Sequence, residues 1–207
     1  MLATHIILKI GGSLLQSINT LRQLGEVISI LSQSYPILVL PGGGPFADVV
    51  RSYGEKIPLS EETCHFMALL GMEQYAFLLQ ELIPNSRIVN LQASQNINDA
   101  VGQVLILRTL DYMQSVPSSD LSRSWEVTSD SIAAYLSQQF QAKLLVLLKS
   151  KDISPEIGPP EVDPFFRQTV PEDLPVWLVN GNYPERLKEL LESGQTLGAH
   201  LGPPFLV

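Results

Sequence analysis

The sequence predicts an α/β fold, a three-layer αβα sandwich around a mostly parallel central sheet. Short apolar runs recur along the chain, and each is apolar at consecutive positions rather than at alternate ones. Strands that helices cover on both faces have this pattern. Segments with helical periodicity lie between the runs, and such alternation of strand and helix is typical of this class. The predicted strands are His5–Ile10, Ile37–Leu40, Arg87–Leu91, Val104–Leu107, Lys143–Leu148 and Val176–Asn180.

Size, composition and charge predict one domain in a cytoplasmic setting. The chain has 207 residues, of which 45% are hydrophobic and 16% charged, which is enough for a sizeable core. A net charge of −8 argues against nucleic acid as a partner, because phosphate backbones need a basic surface. No apolar stretch approaches the roughly 18 residues of a membrane span, so we expect no membrane partner and no signal peptide. The single cysteine, Cys64, rules out an internal disulfide and a cysteine-based zinc site.

The first two strands each lead into a glycine-rich turn. Lys9-Ile10-Gly11-Gly12-Ser13 ends the first run, and Pro41-Gly42-Gly43-Gly44-Pro45 follows the second. Backbone N–H groups without covering side chains can surround an anion at a helix N-terminus. A single glycine pair is equally explained by a tight turn, and neither turn matches the dinucleotide or Walker A pattern. Two such turns with a lysine beside one of them predict a polyphosphate site.

Two amphipathic helices follow these turns. The first includes Leu21, Leu24 and Ile28, and the second begins near Pro45, a favourable first-turn residue. Arg51 lies in the second helix, about two turns beyond the last of these glycines. Its guanidinium either reaches an acceptor phosphate or lies on a solvated helix face.

The segment 60–83 predicts a helix that is apolar nearly all round. Such a helix must be buried on more than one side, either centrally or at a subunit interface. We expect a homo-oligomer formed through this helix. His65 lies within it among apolar neighbours, which favours a packed or interface histidine over a catalytic base.

A cluster of polar residues opens the helix that carries Ile132–Phe140. Thr128, Ser129 and Asp130 are all natural N-cap residues, and three exceed what capping requires. Asp130 could orient lysine ammonium groups or hold a magnesium ion. Trp125, just before them, either stacks on a small aromatic ligand or lies in the core. A proline-rich stretch, Ser154–Pro175, then predicts a long ordered loop before a last strand and helix.

Taken in order, the lysine-glycine turn, the triple-glycine turn and Asp130 resemble the amino acid kinase family, which includes acetylglutamate, aspartate, carbamate and uridylate kinases. The resemblance implies a carbamate kinase-like fold and an ATP-dependent phosphotransferase that uses Mg²⁺. It implies that Asp130 organises the lysines, and that 1–140 form the acceptor and phosphate-binding part of a single domain while 141–207 form a shortened nucleotide-binding part. The residues implied to surround the phosphates are Lys9, Gly11, Gly12, Ser13, Gly42, Gly43 and Gly44.

A closer resemblance is to a small subgroup of this family in methanofuran biosynthesis. It rests on His65–Tyr75, Trp125–Ala133 and Val179–Gly181. It implies that the small-molecule acceptor is an aminomethylfuran phosphate, which would be converted to its diphosphate. The predicted acceptor contacts are Arg51, Trp125, Thr128 and Ser129.

One loop departs from the family pattern. Many members have Thr-Asp-Val-Asp-Gly after the strand that follows the catalytic helix, whereas this chain has Lys149-Ser150-Lys151-Asp152. Asp152 is the candidate for the first aspartate, and the Asp-Gly pair is missing. Either Lys149 or Lys151 supplies a second phosphate-stabilising charge, or that charge is absent. We assign Lys149 to catalysis and Lys151 and Asp152 to nucleotide binding.

Two other functions remain open from the sequence. The altered loop is compatible with a catalytically reduced member that binds nucleotides or oxyanions for regulation or storage. The apolar helix 60–83 is compatible with a structural or interaction protein that binds no nucleotide.

Overall fold

Seven strands form one sheet in the computed structural model, which describes residues 5–91, 100–153 and 162–206. The strand order is β3-β4-β2-β1-β5-β6-β7. Every neighbouring pair is parallel except β6 and β7. The strands are β1 Ile6–Ile10, β2 Ile37–Pro41, β3 Ser86–Val89, β4 Val104–Leu107, β5 Leu144–Lys149, β6 Val176–Asn180 and β7 Gly198–Leu201.

Helices cover both faces of the sheet, so the predicted three-layer α/β sandwich is confirmed. Side chains of α1 and α7 pack against one face, and those of α4, α5 and α6 against the other. A 3₁₀ turn, Gly12–Gln16, joins β1 to the first helix. The helices are α1 Ile18–Leu31, α2 Gly44–Gly54, α3 Glu61–Leu82, α4 Thr109–Ser115, α5 Ser129–Gln139, α6 Phe166–Thr169 and α7 Pro184–Ser193.

Local sequence signals explain where several helices begin and end. Ser60 caps α3 by accepting a hydrogen bond from Thr63 N at 3.2 Å, and its acidic first turn suits the positive end of the helix dipole. Pro45 stands in the first turn of α2, where its missing N–H costs nothing. Gly194 ends α7 in the left-handed conformation, with φ +76°.

The helix α3 contacts the cores on both faces of the sheet. Tyr75 and Leu79 pack in the cluster under α1, whereas Leu69 and Met72 pack in the cluster on the α5 side. Central burial therefore accounts for most of its apolar surface. Leu70 and Phe77 are the exceptions, with 49% and 61% of their surface exposed.

Three elements differ from the sequence expectation. The strand β7 was not predicted, since its four residues Gly198–Leu201 form a short antiparallel edge without a long apolar run. The helix α4 was also not predicted. Within the proline-rich stretch, 154–161 lie outside the described residues, and Phe166–Thr169 form one helical turn rather than loop. No helix among the described ranges is both long enough and apolar enough to cross a membrane.

The order of strands creates a crevice at one edge of the sheet. The connection after β1 leads to β2 on one side, whereas the connection after the neighbouring β5 leads to β6 on the other side, so the two connections run in opposite directions. In open α/β sheets, ligands bind at such a switch point, outside the carboxyl ends of the strands. Lys9 lies at this end of β1, and Lys149 is the last residue of β5.

Candidate active site

Asp130 joins two lysines from neighbouring strands. Its Oδ1 lies 2.9 Å from Lys9 Nζ, and its Oδ2 accepts a hydrogen bond of 2.6 Å from Lys149 Nζ. The alternation of side chains places Lys9 on the same face of β1 as Ile7, and Lys149 on the same face of β5 as Leu147. This is the face that α5 covers, and Asp130 lies in the first turn of α5. All three side chains are largely buried.

The cluster is electrostatically coupled. Burial disfavours the charged form of Asp130, but Lys9 and Lys149 outweigh burial and hold the pKa of this carboxyl below its ordinary value. Burial lowers the pKa of Lys149, and the neighbouring Lys9 ammonium lowers it further, while Asp130 acts in the opposite direction. Two cations that share one anion leave a net positive charge directed at the crevice. Such a group stabilises negative charge on a ligand or a transition state.

The two glycine turns pack directly against each other. A Cβ added at Gly12 would lie 2.2 Å from the Cα of Gly44, and one added at Gly42 would lie 2.8 Å from the Gly12 nitrogen. Gly44 also has φ +52°, a conformation that side chains disfavour. Backbone hydrogen bonds of 2.9 Å from Gly11 N to Leu148 O and from Gly42 N to Ile10 O fix both turns to the sheet. Glycine is therefore required here by close approach of backbone to backbone.

A cavity of about 630 Å³ opens above the lysines. This volume is in the range of sites for small ligands. The predicted site residues on its wall are Lys9, Gly12, Ser13, Gly43, Gly44, Arg51, Trp125, Thr128, Ser129 and Lys149. Asp130 contacts the two lysines from the side of α5. Gly11 and Gly42 support the turns through the hydrogen bonds given above rather than by lining the cavity.

Lys151 and Asp152 are not on the cavity wall. Both are exposed, and the Asp152 carboxylate pairs with Arg186 and accepts from Asn180 Nδ2 at 3.2 Å. β5 ends at Lys149, so the chain beyond it runs towards the end of β6. Of the two candidate second lysines, Lys149 is therefore the one that contacts Asp130. The pairing with Arg186 lowers the pKa of Asp152.

Arg51 and Trp125 form the outer wall of the cavity. The Arg51 guanidinium lies 5.0 Å from the centre of the Trp125 ring, and its Nη1 lies 3.2 Å from Asp48 Oδ1. Trp125 is half-buried and lies on the wall, which does not support the core interpretation. His65 is buried in the same wall, and burial lowers its pKa. Its imidazole is therefore both packed and adjacent to the cavity.

Asp163 is a residue that the sequence reasoning missed. It accepts hydrogen bonds from Thr128 and Ser131 at the start of α5. The Thr128 hydroxyl donates its proton to Asp163 Oδ2 at 2.6 Å and accepts from Asp130 N at 3.3 Å. It therefore has no proton left for an acceptor phosphate. An aspartate followed by proline just before a helical turn was the available local signal.

No three acidic, histidine or cysteine side chains converge within 5–91, 100–153 and 162–206. Asp130, the one candidate from the sequence, has a lysine on each oxygen. Lysine orientation, rather than magnesium binding, is the role that this geometry gives it.

The fold and the site define an α/β protein whose two lysines and paired glycine turns line a cavity suited to an anion. The chain belongs to the amino acid kinase family, whose sequence model matches residues 4–153. It is 26% identical over 211 residues to the [5-(aminomethyl)furan-3-yl]methyl phosphate kinase of Methanocaldococcus jannaschii, covering 91% of this chain and 93% of that protein. The chain is thus a kinase, an ATP-dependent phosphotransferase.

Solved structures support the fold. The uridylate kinase of Archaeoglobus fulgidus has a TM-score of 0.69 at 16% identity, with 96% of this chain and 100% of that one covered. The UMP kinase of Ureaplasma parvum has a TM-score of 0.67 at 14% identity, with 97% and 100% covered. The UMP kinase of Bacillus anthracis has a TM-score of 0.68 at 12% identity, with 98% and 97% covered.

Proposed function

We propose that this kinase transfers the γ-phosphoryl group of Mg-ATP to [5-(aminomethyl)furan-3-yl]methyl phosphate. An oxygen of the acceptor phosphate forms a bond to the γ-phosphorus, the bond from the γ-phosphorus to the bridging oxygen breaks, and ADP leaves. The products are ADP and the furan diphosphate. The observation that carries the proposal is the Lys9–Asp130–Lys149 cluster beneath the two glycine turns. The named relative supports this choice of acceptor.

The cluster matches what phosphoryl transfer requires. The reaction depends on alignment and on neutralising the charge of the transferring oxygens, rather than on covalent help from the protein. In the proposal, Lys9 and Lys149 face the transferred group, and the backbone N–H groups of Gly12, Gly43 and Gly44 surround it. Asp130 fixes the positions of both ammonium groups. An acceptor that is already a phosphate anion needs no general base. In the proposal, magnesium enters the site bound to the ATP phosphates, and the protein itself holds no metal ion.

The outer wall suits an acceptor that combines a ring with an anionic group. In the proposal, the Arg51 guanidinium pairs with the acceptor phosphate. The Trp125 ring offers a flat apolar surface to a small aromatic ring. Ser129 and the methyl group of Thr128 complete the acceptor contacts. We place Lys151 and Asp152 near the nucleotide, beside the carboxyl ends of β5 and β6.

A second candidate is a member that binds Mg-ATP without transferring phosphate. The observation that favours it is the position of Asp152, which lies outside the cavity and pairs with Arg186. We rank it second because the buried cluster is complete without Asp152. The cytoplasmic setting expected from the sequence is part of the proposal.

Phosphorus NMR on the purified chain with Mg-ATP tests the proposal. The acceptors are the aminomethylfuran phosphate, UMP and a small carboxylate such as acetylglutamate, and Lys149→Ala is the inactive control. We expect diphosphate signals and ADP with the furan phosphate only. Turnover of UMP or the carboxylate alone would contradict the acceptor assignment. Saturable Mg-ATP binding with no product from any acceptor would favour the binding protein.

A further inference from the structure

Asp163 occupies a position that connects two helix N-termini next to the lysine cluster. We propose that Asp163 is a positioning residue for phosphoryl transfer, which fixes the first turn of α5 and thereby sets the place of Asp130 between Lys9 and Lys149. The inference rests on the proposed function. It concerns a residue outside both glycine turns, and one that does not line the cavity.

One oxygen of Asp163 is saturated by the start of α5. Its Oδ2 accepts from Thr128 N at 3.1 Å, from Thr128 Oγ1 at 2.6 Å and from Ser131 N at 3.2 Å. Thr128 is the residue before α5, and Ser131 is in its first turn. Asp130 lies between these two residues in the chain. Its backbone cannot shift without breaking bonds to Asp163.

The other oxygen binds the start of α6. Asp163 Oδ1 accepts from Phe165 N at 3.1 Å and from Phe166 N at 2.9 Å, and also from the Ser131 hydroxyl. Phe166 is fully buried in the core on the α5 side of the sheet. The carboxylate is therefore anchored to the start of α6, whose Phe166 is buried in the core. A carboxylate that accepts several hydrogen bonds from the starts of two helices holds these two starts in a fixed relative position.

Capping alone does not explain this arrangement. Thr128 already caps α5 through its own side chain, which accepts from Asp130 N. Asp163 adds further bonds to the same turn from a distant part of the sequence. Its charge also acts on the cluster, because Asp163 is among the groups that raise the pKa of Lys149. Asp163 therefore acts on the cluster through its charge as well as through its hydrogen bonds.

Asp163→Asn tests the proposal, because it keeps the shape while turning an amide N–H₂ towards hydrogen-bond donors. We expect kcat to fall about 10- to 100-fold, as for other changes that misplace a reactive group through its support. The Kd values for Mg-ATP and for the acceptor should stay within about threefold, because Asp163 does not line the cavity and the substitution leaves the glycine turns and Arg51 in place. Equal loss of kcat and of both affinities, or a kcat within about twofold of wild type, would overturn the proposal.

The pH dependence of kcat separates positioning from stability. Within 5–91, 100–153 and 162–206, the charged groups that act on Lys149 are Lys9 on β1, Asp130 on α5 and Asp163. Loss of the Asp163 charge lowers the pKa of Lys149 further, so the alkaline limb of the kcat profile should move to lower pH in Asp163→Asn. Ser131→Ala removes one bond to the same carboxylate but keeps its charge. It should lower kcat by a smaller factor and leave the alkaline limb in place, and an unchanged kcat would overturn the proposal even if Asp163→Asn does not fold.

Two further measurements complete the design. Asp173→Asn makes the same chemical change at an exposed position and should behave as wild type.

If the wild-type chain transfers no phosphate, the proposed function fails. The pKa of Lys149, followed by NMR of isotope-labelled lysine and assigned with Lys149→Arg, then decides the role of Asp163. Identical titration of Lys149 in wild type and in Asp163→Asn would overturn that role.

Discussion

At the scale of single residues, Asp130 is the centre of the site because it pairs with two cations at once. Breaking a buried ion pair by removing one partner leaves uncompensated charge, which costs far more than the pair contributes. Asp130 therefore fixes the positions of Lys9 and Lys149 and offsets the repulsion between their two positive charges. The same arrangement directs positive charge at the cavity. Function and local stability are linked in one side chain.

Replacing Lys9 should slow the chemical step strongly. Lys9→Ala removes one charge-stabilising donor, which by analogy costs about 2–4 kcal/mol of barrier. The expected result is a large fall in kcat with the fold intact, measured by ADP release and thermal unfolding. Lys143→Ala, an exposed lysine just before β5, is the matched control and should retain wild-type turnover. Near-wild-type turnover in Lys9→Ala would remove Lys9 from the mechanism.

Replacing Asp130 should change the dependence of stability on pH. The pKa of folded Asp130 lies below the ordinary value of 3.8, so its stabilising contribution is complete above that value and is lost as the pH falls through the folded pKa. Asp130→Asn should therefore lower the free energy of unfolding by about 3–5 kcal/mol at neutral pH. The difference from wild type should shrink on acidification below pH 3.8. Urea unfolding at several pH values measures it.

The matched control for Asp130→Asn is Asp173→Asn, since Asp173 is exposed. Its free energy of unfolding should follow that of wild type at every pH. A destabilisation of Asp130→Asn that does not depend on pH would show that the carboxylate stabilises through packing and not through its charge.

Trp125 should contribute to acceptor binding and not to nucleotide binding. Trp125→Ala removes the surface beneath Arg51, and contacts of this kind contribute about 0.5–2 kcal/mol. The acceptor KM should rise about tenfold, while the KM for ATP stays unchanged. Trp125→Phe keeps a ring and should recover most of the loss. An increase in the ATP KM instead would place the nucleotide, not the acceptor, against Trp125.

At the scale of elements, the two glycine turns act as one unit. The 3₁₀ turn after β1 and the start of α2 approach so closely that backbone atoms replace side chains at the contact. Each turn therefore fixes the direction of the other turn's N–H groups. Each turn is hydrogen-bonded to the sheet through its first glycine, Gly11 or Gly42, and beyond that glycine the two turns pack against each other.

Gly12→Ala should disrupt this unit. The added Cβ would lie 2.2 Å from backbone atoms of Gly44. Backbone atoms cannot move aside as a side chain can by changing its rotamer. Overpacking of this kind costs about 1–3 kcal/mol or more of stability, and we expect Mg-ATP binding to be lost as well. Calorimetric titration and thermal unfolding measure the two effects. Gly54→Ala is the control, since its Cβ would meet only Cys64 Sγ at 3.4 Å. Wild-type ATP binding by Gly12→Ala would contradict the paired-turn site.

At the scale of the whole molecule, α3 reaches both cores and still exposes apolar surface. Leu70 and Phe77 are seven positions apart, which is close to two full turns, and they therefore lie on the same side of the helix. Isolated exposed apolar residues are ordinary, whereas apolar residues that share one helix face can contribute to the contiguous patch of an interface. We propose that a second copy of the chain covers them, which retains the homo-oligomer expected from the sequence.

Phe77→Lys should shift this assembly towards monomers. A charge at the centre of an apolar contact must be desolvated without a partner, which weakens association. Sedimentation equilibrium of wild type and variant measures the change. Ile30→Lys on α1 is the control, because Ile30 is 65% exposed and Phe77 61%. A wild-type chain that is monomeric at micromolar concentration would contradict the interface.

The strands and turns were accessible to sequence reasoning because their signals are local. A consecutive apolar run such as Leu144–Leu148 can only be buried on both faces, and glycines after such a run mark a turn that backbone must approach closely. Three short elements, the helices α4 and α6 and the strand β7, gave weaker signals. The edge strand β7 and the single turn of α6 bury too few residues to show a period. Asp163 carried only an Asp-Pro signal, while its partners Thr128 and Ser131 lie far away in sequence.

The sequence by itself determined the fold class, the two glycine turns and the polar start of α5, because each depends on residues close together in the chain. The tertiary structure decided which lysine completes the cluster. Lys149 and Lys151 have the same strand parity, but β5 ends at Lys149 and lies beside β1, which brings Lys149 to Asp130. The tertiary structure also brought Asp163 within hydrogen-bond distance of Thr128 and Ser131 at the start of α5. Strand adjacency and side-chain hydrogen bonds between distant residues come from global packing, which no local period encodes.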